Sequence, residues 1–158
     1  MKQVQRLFDF VHLSAYCRSH HGDDPRACGG IPTDGSLNNV VGRASPDRLP
    51  VKALVLMEPF GAVFAQQDLA DVRQPTLIYR ARQSDLRADG NVLALARALP
   101  NPPQEKSVDG GHFIFLGPCP PALTKEAPAA CSDAPGIDRA ATHARVLQQI
   151  SDFLHRAL

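Results

Sequence analysis

Between Val51 and Met57 the chain reads VKALVLM, an apolar run with no alternation, in which five of seven residues are Val, Leu or Met. That pattern predicts a strand buried on both faces, as in a parallel sheet. Between Asp138 and Leu158 apolar residues return every three or four positions, and Ala141, Val146, Ile150, Phe153 and Leu154 form the core stripe of a long helix. The rest of the chain sorts between these two periods. Gln3–Ser19 reads as a helix with Val4, Leu7, Phe8, Val11 and Leu13 near one face, although Phe10 breaks the period. Gly22–Pro50 is loop, with DGSLNN as a turn. Gly61–Val72 is a short helical or irregular crossover. QPTLIYRAR is a second strand, opened by Pro75 where proline is tolerated, and Asn91–Leu99 is a short helix. QEKSV, Gln104–Val108, is a third strand, polar as an edge strand can be.

The alternation of helix and strand predicts an α/β layered fold, with about three parallel strands, flanking helices and right-handed crossovers. The expected organisation is a single domain over 1–158, with a helix and irregular cap-like segment at 1–50 and a strand/helix core at 51–158. Chemistry in such sheets gathers at the carboxyl ends of the strands. Three loops meet that condition, those after Met57, Tyr79 and Val108.

Composition narrows the classes. Apolar content of 44% and charged content of 21% suit a globular chain with a real core. Seventeen basic and 16 acidic side chains give a formal charge of +1, with no basic run or patch, so nothing calls for nucleic acid or an anionic membrane. No apolar stretch approaches the ~20 residues of a membrane span. MKQVQRLFDFVHLSAYC lacks a signal-peptide pattern. Proline and glycine gather at Gly22–Pro50 and Gly117–Gly136, and cysteines flank both segments. Cys17 with Cys28, and Cys119 with Cys131, would each close a local loop, worth about 3 kcal/mol where geometry allows. An even count at loop ends predicts two disulfides in an oxidising compartment, periplasmic or extracellular; the other reading is four reduced thiols in the cytoplasm.

Each of the three strand-end loops carries a titratable residue. Glu58 follows the first, RARQSD ends at Asp85 after the second, and Asp109 and His112 follow the third. A histidine with an acid to orient it, on adjacent strands, makes two-thirds of a nucleophilic triad. Gly110 and Gly111 permit the turn that would swing the imidazole over the sheet edge, and Phe113, Phe115 and Leu116 would cover it. The competing role for His112 is a loop histidine that caps a helix or bonds a backbone carbonyl. Asp109 is close to His112 in sequence and shapes the turn, while Glu58 stands in reserve as the acid.

Four stretches, VKALVLMEPF, PTLIYRARQSD, VDGGHFIFLGPCPPAL and APAACSDAPGIDRAATHARVLQQISDFL, resemble the C-terminal part of an α/β-hydrolase. The group resembled is the dienelactone-hydrolase-related one that shades into platelet-activating-factor acetylhydrolases. AYCRSHHGDDPRAC is also similar to the cysteine-bearing segment after that group's nucleophile helix, so the resemblance runs from about Phe8 to Leu158. It implies a partial α/β-hydrolase fold that acts on carboxylic esters or lactones without a cofactor. His112 is then the general base and Asp85 the acid, within hydrogen-bond reach of each other.

The family's nucleophile is a serine in a Gly-x-Ser-x-Gly elbow, and this chain has none. Ser36 follows a glycine but no strand leads into it, and Ser14, Ser19, Ser45, Ser84, Ser107, Ser132 and Ser151 fit no better. Cys17 lies in or at the end of a helix and has a disulfide partner in view. The oxyanion-hole loop is absent as well. The expectation is therefore a C-terminal portion of a hydrolase, catalytically incomplete as given, with MKQVQRL fitting the family poorly. The alternative is a non-catalytic module that binds a partner, or itself, through an open sheet edge. Cys17, His20, His21, Asp23, Asp24 and Cys28 invite a zinc reading, but their spacing does not match paired-ligand patterns, and no metal is expected. His12, His143 and His155 are read as surface or helix-end residues.

Overall fold

The computed structural model describes residues 10–39 and 50–158. The element order is α1 Phe10–His20, α2 Pro25–Cys28, β1 Leu54–Met57, β2 Thr76–Ala81, α3 Val92–Ala98, β3 Gln104–Val108, α4 Pro121–Glu126, α5 Pro128–Cys131 and α6 Arg139–Ala157. The three strands form one parallel sheet in the order β1-β2-β3, as the alternation predicts. The first part of the expected helix Gln3–Ser19 lies outside the described residues, as do 40–49 of the expected loop.

Helices pack on both faces of the sheet because β2 is apolar on both. Leu77, Tyr79 and Ala81 point to the side where α6 supplies Val146 and Phe153. Ile78 points to the other side, among Val92, Leu95, Ala96 and Leu99 of the α3 region. β2 is therefore the strand buried on both faces. The VKALVLM run predicts that role for β1, whose residues are half-buried or exposed instead. β1 is shorter than Val51–Met57, and among the described residues its strand pairing is with β2. Met57 is 47% exposed and Val51 39%. An apolar run marks burial but cannot say which strand takes the centre. β3 is a polar edge, with only Val108 buried.

α6 keeps its predicted stripe with one shift. Thr142, Val146 and Phe153 are buried, while Ala141 faces solvent. Its start is fixed by Asp138, whose side chain accepts the Ala141 N–H at 2.9 Å. A third core cluster lies apart from the sheet, where Leu13, Cys17, Ala27 and Cys28 of the α1–α2 hairpin pack on Ala62, Val63 and Leu86. The 117–136 segment, expected to be irregular, holds the short helices α4 and α5, each started by a proline at its first turn.

Candidate functional site

At the carboxyl end of β1 the backbone turns at Glu58, which adopts φ 48°. The residue is buried, its N–H donates to Tyr79 O at 2.9 Å, and its Oε2 accepts the Ala81 N–H at 2.6 Å. Glu58 thus extends the β1–β2 ladder and caps β2. Its carboxylate is engaged there, and it is not among the residues lining the hollow that holds His112.

At the end of β3, Gly110 has φ 129°, and a Cβ there would lie 2.8 Å from Ile114 Cγ1, so glycine is required on both counts. Gly111 is in ordinary extended backbone, so the turn needs one glycine where two were expected. Gln83, beyond β2, clamps this turn from both sides. Its N–H donates to Gly110 O at 3.0 Å, and its Oε1 accepts the Gly110 N–H. Asp109 pairs at the surface with Arg82, 3.2 Å away. His112 begins a tight helical turn that runs to Phe115 and is pinned by the fully buried Ile114. The Ile114 carbonyl accepts from His143 Nε2 at 2.7 Å, so His143 carries its proton on that nitrogen and holds the loop to α6. The sequence reads His143 as a surface or helix-end residue. Nothing local distinguishes it, because its partner lies 29 residues away.

Both predicted cysteine pairs are joined. Cys17–Cys28 has S–S 2.14 Å, and Cys119–Cys131 has 2.00 Å. The first closes the α1–α2 hairpin around Asp24, which is fully buried. Its Oδ2 accepts from Tyr16 OH at 2.8 Å and Asn91 Nδ2 at 2.7 Å, and its Oδ1 caps α2 through the Ala27 N–H at 3.3 Å. Burial, and then the hydrogen bond to Asp24, pushes the Tyr16 phenol well above its ordinary range. The second disulfide sits beside a bidentate pair. Arg139 donates to the two oxygens of Asp133 at 2.7 and 2.9 Å and to the carbonyls of Ala130 and Leu116.

These loops surround an open hollow of about 220 Å³. Asp85 and His112 line it together, with Arg26, Gln83, Ser132 and Asp133. The expected Asp85–His112 hydrogen bond is not formed. The Asp85 carboxylate instead accepts from Arg26, whose Nε lies 2.5 Å from Oδ2 and whose Nη2 reaches the same oxygen. His112 Nδ1 is buried without a hydrogen-bond partner, and the ring meets Phe113 edge-on at 4.9 Å. Ser132 is the hydroxyl-bearing residue in the hollow; it follows α5, not a strand, and so has no elbow geometry.

No family model, curated protein or solved structure matches the chain. Among the described residues no helix is long and apolar enough to cross a membrane, and no three His, Cys, Asp or Glu side chains gather as a metal site. Of the sequence candidates for zinc, Cys17 and Cys28 are bonded to each other and Asp24 is enclosed by donors. The polar loop HHGDDP thus serves the fold. Arg26 and Gln83 are the site residues that sequence reading missed.

Proposed function

We propose that this chain carries the acid–base part of an α/β-hydrolase acting on carboxylic esters or lactones, with His112 as general base and Asp85 as the acid that orients it. One observation carries the reading: Asp85 and His112 follow the carboxyl ends of the adjacent parallel strands β2 and β3 and line one hollow. In the reaction, His112 Nε2 takes the proton of a serine hydroxyl as its oxygen attacks the ester carbonyl. Asp85 accepts Nδ1–H, which fixes the tautomer and stabilises the imidazolium, and His112 then returns the proton to the leaving alcohol. The unpartnered Nδ1 is the group that such an acid would satisfy. The two disulfides favour an oxidising compartment.

The serine is not supplied by any elbow in these 158 residues. Triad members act as a unit, so the chain alone should give negligible turnover of p-nitrophenyl esters and no labelling by a fluorophosphonate. The test is the same pair of assays on this chain and on its reading frame extended upstream. The extended protein should contain a Gly-x-Ser-x-Gly elbow and lose at least about 10³-fold of its kcat/KM in His112→Ala. An extended frame without an elbow, or activity indifferent to His112, would defeat the reading. Esterase activity in the chain alone that vanishes in Ser132→Ala would place the nucleophile in the hollow instead.

A second reading is a module that self-associates. It is favoured by β1, whose outer edge has no strand partner among the described residues, and by the largely apolar hollow beside it lined by Met57, Phe115, His143, Val146, Leu147 and Ile150.

A further inference from the structure

Asp85 is the exposed member of the acid–base pair, with half of its side chain in solvent, and it sits in a polar loop. Left to itself such a carboxylate turns to water, and a lone surface ion pair does little to stop it. Here its partner is not an ordinary surface arginine. Arg26 stands on α2, a single turn closed at its end by the Cys17–Cys28 disulfide and capped at its start by buried Asp24. The same hairpin is tied to the segment following Asp85 at two further points, Asp23 to Arg87 at 3.1 Å and Asp24 to Asn91 at 2.7 Å. The guanidinium also lies 4.9 Å over the ring of Phe113, the residue next to His112. One side chain therefore touches both loops, the acid's by an ion pair and the base's over the Phe113 ring. Both Arg26 donors converge on Asp85 Oδ2, and among the described residues Oδ1 accepts no hydrogen bond. His112 lines the same hollow, and its buried Nδ1 has no partner either.

Resting on the acid–base reading above, we propose that Arg26 is the positioning residue of the pair: a disulfide-anchored brace that holds Asp85 by one oxygen and so keeps the other available to His112 Nδ1. The disulfide, the Asp24 cap and the Phe113 contact fix the guanidinium in advance, so little side-chain freedom is lost when it orients the carboxylate.

The test reads the tautomer of neutral His112 from its imidazole ¹⁵N shifts, at a pH where the ring is uncharged. Four proteins are compared: the wild type, Arg26→Ala, Asp85→Asn and the double variant. An Asp85 held in place keeps Oδ1 free to accept Nδ1–H when the carboxylate turns to the ring, which favours that tautomer. With Asn at position 85 the Arg26 donors keep the amide oxygen, and the amide NH₂ turns toward the imidazole and disfavours it. Asp85→Asn should therefore lower the Nδ1–H to Nε2–H ratio about two- to tenfold in the wild-type background. In the Arg26→Ala background the same substitution should change the ratio by less than about twofold, because the carboxylate is no longer held. The direct influence of the arginine's charge cancels in the cycle. Arg26→Lys should recover part of the Asp85 effect, which a side chain acting by bulk alone would not do. Matching amide spectra and intact disulfides establish that the variants share the fold, and Arg26→Gln replaces Arg26→Ala should the latter not fold. An Asp85 effect that is equal or larger without Arg26 overturns the brace. An Asp85→Asn substitution that leaves the ratio unchanged in the wild type overturns the acid–base reading itself.

Discussion

Asp24→Ala should be among the most destabilising single changes in this chain. The carboxylate is fully buried and accepts from three donors, Tyr16 OH, Asn91 Nδ2 and the Ala27 N–H. A hydrogen bond to a charged group contributes about 1.5–3 kcal/mol, and a lost helix cap costs about 1 kcal/mol. The three losses do not simply add. Asn91 Nδ2 keeps the Arg87 carbonyl at 3.0 Å, and Tyr16, only partly buried, can turn its hydroxyl to water. Counting one full charged bond to Asn91, a partial one to Tyr16 and the cap gives about 3–5 kcal/mol. That is a large share of the ~5–15 kcal/mol that holds a typical domain together. Asp24→Asn should cost less, because an amide oxygen in the place of Oδ2 keeps Tyr16 OH and Asn91 Nδ2, and its NH₂ then meets only the Ala27 N–H donor to donor. The assay is urea unfolding followed by far-ultraviolet circular dichroism, with both disulfides intact. The midpoint should fall with little change in slope. A loss below about 1 kcal/mol for Asp24→Ala would show that the buried carboxylate is not what docks the first hairpin.

Two further outcomes follow from the same structure. Both tyrosines of the chain are held above their ordinary range, Tyr16 by burial and its bond to Asp24, Tyr79 by burial. The folded phenols keep their protons where the unfolded ones lose them, so stability is full below the unfolded value of 10.0 and falls as pH rises above it. Phenolate absorbance should therefore appear together with the loss of circular dichroism in an alkaline titration, and phenolate formed while the fold is intact would contradict both environments. For the second functional reading, light scattering after size exclusion should show a dimer or larger species that Met57→Lys shifts toward monomer; a monomer at all concentrations would exclude association through β1.

What the sequence revealed divides by the range of the interactions concerned. β2, β3, α3 and α6 follow from periodicity over five to twenty neighbouring residues, and the disulfides from cysteines 11 and 12 positions apart. Those features are local, so local pattern shows them. The burial of β1 was overread because an apolar run reports affinity for a core, whereas centrality depends on which strands flank it. The buried role of Asp24 was invisible for a different reason. HHGDDP has the composition of a solvated loop, and the donor that makes burial tolerable lies on Asn91, 67 residues away. The same holds for the candidate site. Asp85 and His112 were legible because each follows the end of a strand, and parallel topology brings such ends together. Arg26 was not, because it reaches Asp85 across 59 residues and owes its place to a disulfide, a cap and a ring contact from three different segments. Strand ends therefore bring Asp85 and His112 to one hollow. The side chain that engages Asp85 comes from a distant hairpin, and only the folded chain shows which one that is.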